Sequence, residues 1–110
     1  PNVEVERMNE IPFLPEFKEL LRIGKKTATS RSKKYGAPFE HFTAFDMEFD
    51  ILSVQRVPLW IVAEKFYKEE GLNNPDEFVN IWLRIHDSYD PRRIVYLHTF
   101  ERVDGGKSDG

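Results

Sequence analysis

The sequence predicts a single α+β domain: a small sheet of mixed or antiparallel strands with about three flanking helices. Three observations carry that reading. Segments near residues 26–31, 41–57 and 93–103 alternate with the two-residue period of strands. Between them, residues 15–23, 58–71 and 74–85 carry apolar side chains at helical spacing, bounded by proline, glycine and asparagine. The 110 residues show no internal repeat and no linker, which is the length of one domain.

Composition narrows the class. Hydrophobic content of 40% with 32% charge fits a soluble globular chain, and nine Phe point to a core of large rings. The absence of cysteine excludes disulfides and thiolate metal sites. No apolar run approaches the roughly 20 residues of a membrane span, and no signal-peptide pattern opens the chain. The expectation is a cytoplasmic protein with no membrane partner and no cofactor, and a monomer.

In chain order, Pro1–Glu10 reads as an irregular or edge segment, so residues 1–12 are an N-terminal extension to a domain spanning 13–103. Pro15 suits a first helical turn, Phe17, Leu20 and Leu21 recur at helical spacing, and Gly24 supplies a left-handed cap. Lys26–Arg31 is extended, with Thr27, Thr29 and Arg31 on one side and Lys26, Ala28 and Ser30 on the other. Tyr35–Pro38 is a turn. Strands follow at His41–Phe45 and Glu48–Val57, joined by a hairpin at Asp46-Met47, with Phe42, Ala44, Phe49, Ile51 and Val54 inward.

Pro58 opens a second helix, striped by Leu59, Val62, Ala63, Phe66 and Tyr67, with Glu64 and Lys68 paired on its wet side and Gly71 at its end. Asn74-Pro75-Asp76-Glu77 is a helix-start signature, and Phe78, Ile81, Trp82 and Ile85 make the buried face of the third helix. After Asp90-Pro91, Arg93–Val103 alternates as a strand packed on both faces. Residues 104–110 have nothing to bury and read as a disordered tail.

Charge singles out one place. The net charge is −3, yet Arg22–Lys34 holds six basic residues and no acid. A local +6 in a chain of pI about 5.6 marks an anion site and not a generally basic surface. Tyr35 and Phe39 flank this window and are able to stack on a base, although turn aromatics commonly pack on the core. His41, His86 and His98 lack metal-ligand spacing, and no phosphate-cradling glycine loop is present.

The residues Gly24-x-Lys26-x-x-Thr29-x-Arg31 after a helix, Glu64-Lys65 and Glu69-Glu70-Gly71 in the later helix, and the closing aromatic strand resemble the ASCH domain family of the PUA-like superfamily. The resemblance covers roughly Phe13–Val103. It departs at Ala37-Pro38-Phe39-Glu40, where many relatives carry Gly-Asp. It implies a small β-barrel with a cleft lined by the motif, and a ligand that is RNA or a modified nucleoside or nucleotide. Ligand contacts fall to Gly24, Lys25, Lys26, Thr29, Arg31, Lys33 and Tyr35. In amidohydrolase relatives acting on N4-acetylcytidine the catalytic set corresponds to Lys26, Thr29 and Glu70.

That chemistry is sound on its own terms. A threonine hydroxyl needs a base to take its proton, and a lysine serves as one only when its pKa is drawn towards neutrality. Plainer explanations stand beside it. Threonine suits strands, lysine suits a helix C-terminus, and Glu70 fits a helix end with its stem packed and its head wet. The expected function is an RNA- or nucleotide-binding domain, with the amidohydrolase as alternative and a ribonuclease as second alternative.

Overall fold

A computed structural model describes residues 9–103. The expected tail and the segment ahead of Asn9 lie outside the described residues. Five strands form one sheet: β1 (Asn9–Glu10), β2 (Ala28–Arg31), β3 (His41–Ala44), β4 (Met47–Pro58) and β5 (Ile94–Arg102), in the order β1-β3-β4-β5-β2. Only β1–β3 is parallel; the other pairs are antiparallel. The two edge strands do not pair with each other, so the expected barrel is an open mixed sheet. Ile11 is buried with β3 and β4, so the packed unit begins ahead of Phe13.

Helix α1 (Lys18–Arg22) is entered through a 3₁₀ turn at Pro15–Phe17. Gly24, at φ +80°, closes it: Gly24 N–H donates to Leu21 O, and the N–H groups of Lys25 and Lys26 both donate to Leu20 O. This left-handed cap turns the chain towards β2. Helix α2 (Leu59–Lys65) ends sooner than its stripe predicts. Hydrogen-bonded turns carry the chain on to Gly71, at φ +93°, so Lys68 lies beyond the helix and its i,i+4 partnership with Glu64 is lost. Helix α3 (Pro75–Ile85) starts as expected, with Asn74 accepting from Glu77 N–H at 2.9 Å.

Strand β5 is packed on both faces because its alternating residues serve two cores. Val95 and Leu97 meet α2 and α3 through Leu59, Val62, Phe78 and Trp82. On the other face Phe100 stands edge-on to the stacked pair Phe42 and Phe49, whose centroids lie 4.9 Å apart. A β-bulge at Leu52 explains why Ile51 and Val54 both face this core, since one extra residue switches the parity of the strand. The hairpin turn sits one residue earlier than expected, at Phe45-Asp46, where both residues take positive φ. Ile85, expected in the core, is exposed at the last turn of α3.

Candidate functional site

Two connections converge under β2. The α1 cap delivers Lys26 into the interior just before the strand begins. Strand alternation therefore does not govern Lys26, and it shares a cavity with Thr29 and Arg31 despite its even number. From the other side, Glu69 O accepts the N–H groups of both Thr27 and Ala28, at 2.7 and 2.9 Å, which fixes the turn after α2 against β2. Glu70 is thereby held inward instead of ending a helix in solvent.

Lys26 and Glu70 are 3% and 5% exposed, and they are partners. Lys26 Nζ donates to Glu70 Oε1 at 3.0 Å and to Glu70 O at 2.8 Å. The rings of Phe17 and Phe13 lie 4.4 and 5.8 Å from the ammonium. Burial pulls the Lys26 pKa below the ordinary lysine value; the Glu70 carboxylate opposes this and Arg31 adds to it. Glu70 Oε2 is buried with no hydrogen-bond partner. A carboxylate oxygen in that state is costly, so it marks a place for a donor from elsewhere.

Arg31 organises the next layer. Its Nε donates to Thr29 Oγ1 at 3.0 Å and its Nη2 to Pro12 O at 2.7 Å. Its guanidinium carbon lies 4.8 Å from the Phe13 ring and 5.4 Å from that of Tyr35. Burial lowers its pKa, with Glu70 and Tyr35 working against the shift. Thr29 Oγ1 accepts from Arg31, which leaves the hydroxyl hydrogen available to a ligand or a base. No hydrogen bond joins Thr29 to Lys26; the two ammonium bonds in this structure both go to Glu70.

These groups line a cavity of about 370 Å³, within the size range of small-molecule sites. Phe13, Phe17, Phe78 and Trp82 supply aromatic walls, and Ile85 and His86 reach it from the end of α3. His86 stacks on Trp82 at 3.9 Å, and burial with nearby Arg93 lowers its pKa.

The structure thus brings Lys26, Thr29, Arg31, Tyr35 and Glu70 together. It leaves Gly24 and Lys25 exposed outside the cavity, Gly24 acting as a backbone cap. Lys33 is also exposed, its ammonium 5.2 Å from the Tyr35 ring. Phe39 is 89% exposed and away from the cavity. None of Ala37–Glu40 lines the cavity; Glu40 closes its own turn by accepting from Ala37 N–H. The walls formed by Phe13 and His86 carry no signal in the sequence.

No family model and no curated protein matches the chain. Solved structures do. A protein from Enterococcus faecalis V583 of family DUF984 superposes with a TM-score of 0.67 at 19% identity, over 88% of this chain and 81% of that one. The ASCH domain from Lactobacillus crispatus JV V101 gives 0.64 at 15% identity, over 92% and 84%. A mutant ASCH protein from Zymomonas mobilis gives 0.64 at 14%, over 92% and 79%. The chain has an ASCH-type fold.

Proposed function

We propose that this ASCH-type domain binds one nucleobase, as a nucleoside or as an unstacked base of RNA, in the cavity between β2 and α3. The observation that carries the reading is Glu70 Oε2, a buried acceptor without a partner in an aromatic cavity of about 370 Å³. A base edge offers what that site lacks: an N–H for Glu70 beside a carbonyl for Arg31 or Thr29. Planar rings suit walls of Phe13, Phe17 and Trp82. The exposed ammoniums of Lys33 and Lys34 suit phosphates of a longer ligand outside the cavity.

The test is calorimetric titration of cytidine, uridine, adenosine and guanosine into the protein and its Glu70→Gln variant. Glutamine keeps the size but removes the charge that accepts the ligand N–H. Hydrogen bonds to charged groups contribute roughly 1.5–3 kcal/mol, so the best-bound nucleoside is expected to lose about 10- to 150-fold in affinity. Equal affinity for both proteins would overturn the reading.

A second reading has its own support. Desolvation draws Lys26 towards the neutral amine that a general base requires, and Thr29 lies in the same cavity. Hydrolysis of an N-acylated pyrimidine nucleoside would use Thr29 as nucleophile, Lys26 as base and Glu70 to orient the amine. Chromatography of N4-acetylcytidine incubated with the protein tests it. Release of cytidine that disappears in Lys26→Ala is the expected result, and turnover that survives the substitution contradicts it.

A further inference from the structure

The ring of His98 is fully buried on β5, directly across from Thr29 in the β2–β5 register. Its two nitrogens meet two backbone groups of opposite kind. Nδ1 lies 3.2 Å from Thr29 O, which only accepts, so Nδ1 carries the hydrogen. Nε2 lies 3.1 Å from Tyr35 N, which only donates, so Nε2 presents its lone pair. Both constraints select the same neutral tautomer, and the Tyr35 N–H at Nε2 excludes the imidazolium.

We propose that His98 is a positioning residue whose neutral ring clamps the Tyr35 loop to β2, and that acid releases the clamp. A second proton would sit on Nε2 and face Tyr35 N–H directly. One of the two must then move, and Tyr35 belongs to the irregular loop, whereas His98 is fixed in a strand paired on both sides.

The consequence reaches the cavity through two contacts. The Tyr35 ring lies 5.4 Å from the Arg31 guanidinium and that of Phe13 4.8 Å from it, and Arg31 Nε holds the Thr29 hydroxyl. Loss of the Tyr35 anchor therefore removes one wall from Arg31 and loosens the orientation of Thr29. The groups facing His98 divide in their effect. Burial is the largest influence and holds its pKa below the ordinary histidine value; Arg31 from β2 acts with it. The Thr29 carbonyl, the Tyr96 backbone and Glu70 from the turn after α2 act against it. The Tyr35 ring stands edge-on to the imidazole at 6.3 Å.

The experiment needs no ligand, so its failure is distinguishable from failure of the nucleobase reading. Long-range proton–nitrogen spectra of the labelled protein are recorded from about pH 7.5 to about pH 4.5, across the ordinary histidine range. At the upper end the His98 nitrogens are expected to show Nδ1–H and an unprotonated Nε2. As pH falls, the Tyr35 amide proton is expected to move to the position of a free amide, with the midpoint of the His98 ring itself and below about 6.5. In His98→Gln that Tyr35 response is expected to vanish, because glutamine does not titrate. If this variant fails to fold, the titration of the unmodified protein decides alone. An Nε2–H tautomer overturns the proposal. So does a Tyr35 amide that stays still while the ring titrates, or a ring that stays neutral until the whole protein unfolds.

Discussion

Lys26 Nζ and Glu70 Oε1 meet at 3.0 Å across 44 positions of sequence, each side chain almost wholly withdrawn from water. The pair is not placed by either residue's own element. Lys26 precedes its strand and Glu70 follows its helix, and both are carried inward by backbone hydrogen bonds to Leu20 O and from the Thr27 and Ala28 amides to Glu69 O. Two buried charges so arranged contribute little net stability, and the second carboxylate oxygen remains unpaired. Their value lies in the chemistry they offer the cavity.

Removing one partner is therefore expected to cost far more than removing both. Lys26→Met strands a buried carboxylate and should destabilise the protein by about 3–5 kcal/mol. The double variant Lys26→Met with Glu70→Leu should return to within about 1 kcal/mol of the unmodified protein while losing ligand binding. Denaturant unfolding of the unmodified protein, the single variant and the double variant reads the difference. Equal losses in the single and double variants would contradict the pairing.

The two left-handed glycines should respond unequally. A Cβ at Gly24 meets nothing within 4 Å, so Gly24→Ala is expected to cost only the backbone strain, about 1 kcal/mol. At Gly71 a Cβ would lie 3.1 Å from Lys26 Cβ and 3.3 Å from Leu20 Cδ1. Gly71→Ala adds that crowding to its strain, so its loss should be the larger, about 1–3 kcal/mol. Denaturation midpoints measured side by side check the order.

At the β3–β4 hairpin, Asp46 is exposed at φ +65°. Asp46→Gly is expected to gain about 0.5–1 kcal/mol, since glycine takes that conformation without strain. Phe45 shares the conformation at φ +51°, but its ring packs on the core and substitution there loses the contact. A rise in melting temperature on Asp46→Gly is the expected outcome.

Stability should fall on mild acidification through His98. Its pKa is depressed in the folded protein, so the unfolded chain takes up the proton first. The stabilising contribution is complete above the unfolded value of about 6.5 and is lost as pH falls from there to the folded value. Unfolding free energies at a series of pH values should decline in that window. The slope there is expected to be shallower in His98→Gln.

Much of this fold is legible in the sequence because its signals are local. Asn74-Pro75 and Gly24 stop and start helices by their own backbone chemistry, and Phe42, Phe49 and Ile51 alternate as an exposed-edged sheet demands. The Leu52 bulge has no local signal, so the inward parity of Val54 is explained only once β4 is paired with β5. Glu70 was visible as a carboxylate near a buried stripe. Its inward turn depends on the Glu69 carbonyl meeting β2, a contact between distant segments. The cavity walls from Phe13 and His86 are hidden for the same reason, as they are joined only by tertiary packing. Barrel closure failed because β1 and β2 end as opposite edges of an open sheet.

The most direct measurement is amide NMR of the labelled protein titrated with the four common nucleosides and a short unstructured RNA. Saturable shifts are expected for at least one of them, centred on Thr29, Arg31, Tyr35 and Glu70, with remote amides such as those of β3 unmoved. Shifts confined to Lys33, Lys34 and other exposed basic positions, or no saturable response to any of these ligands, would contradict a base-binding cavity.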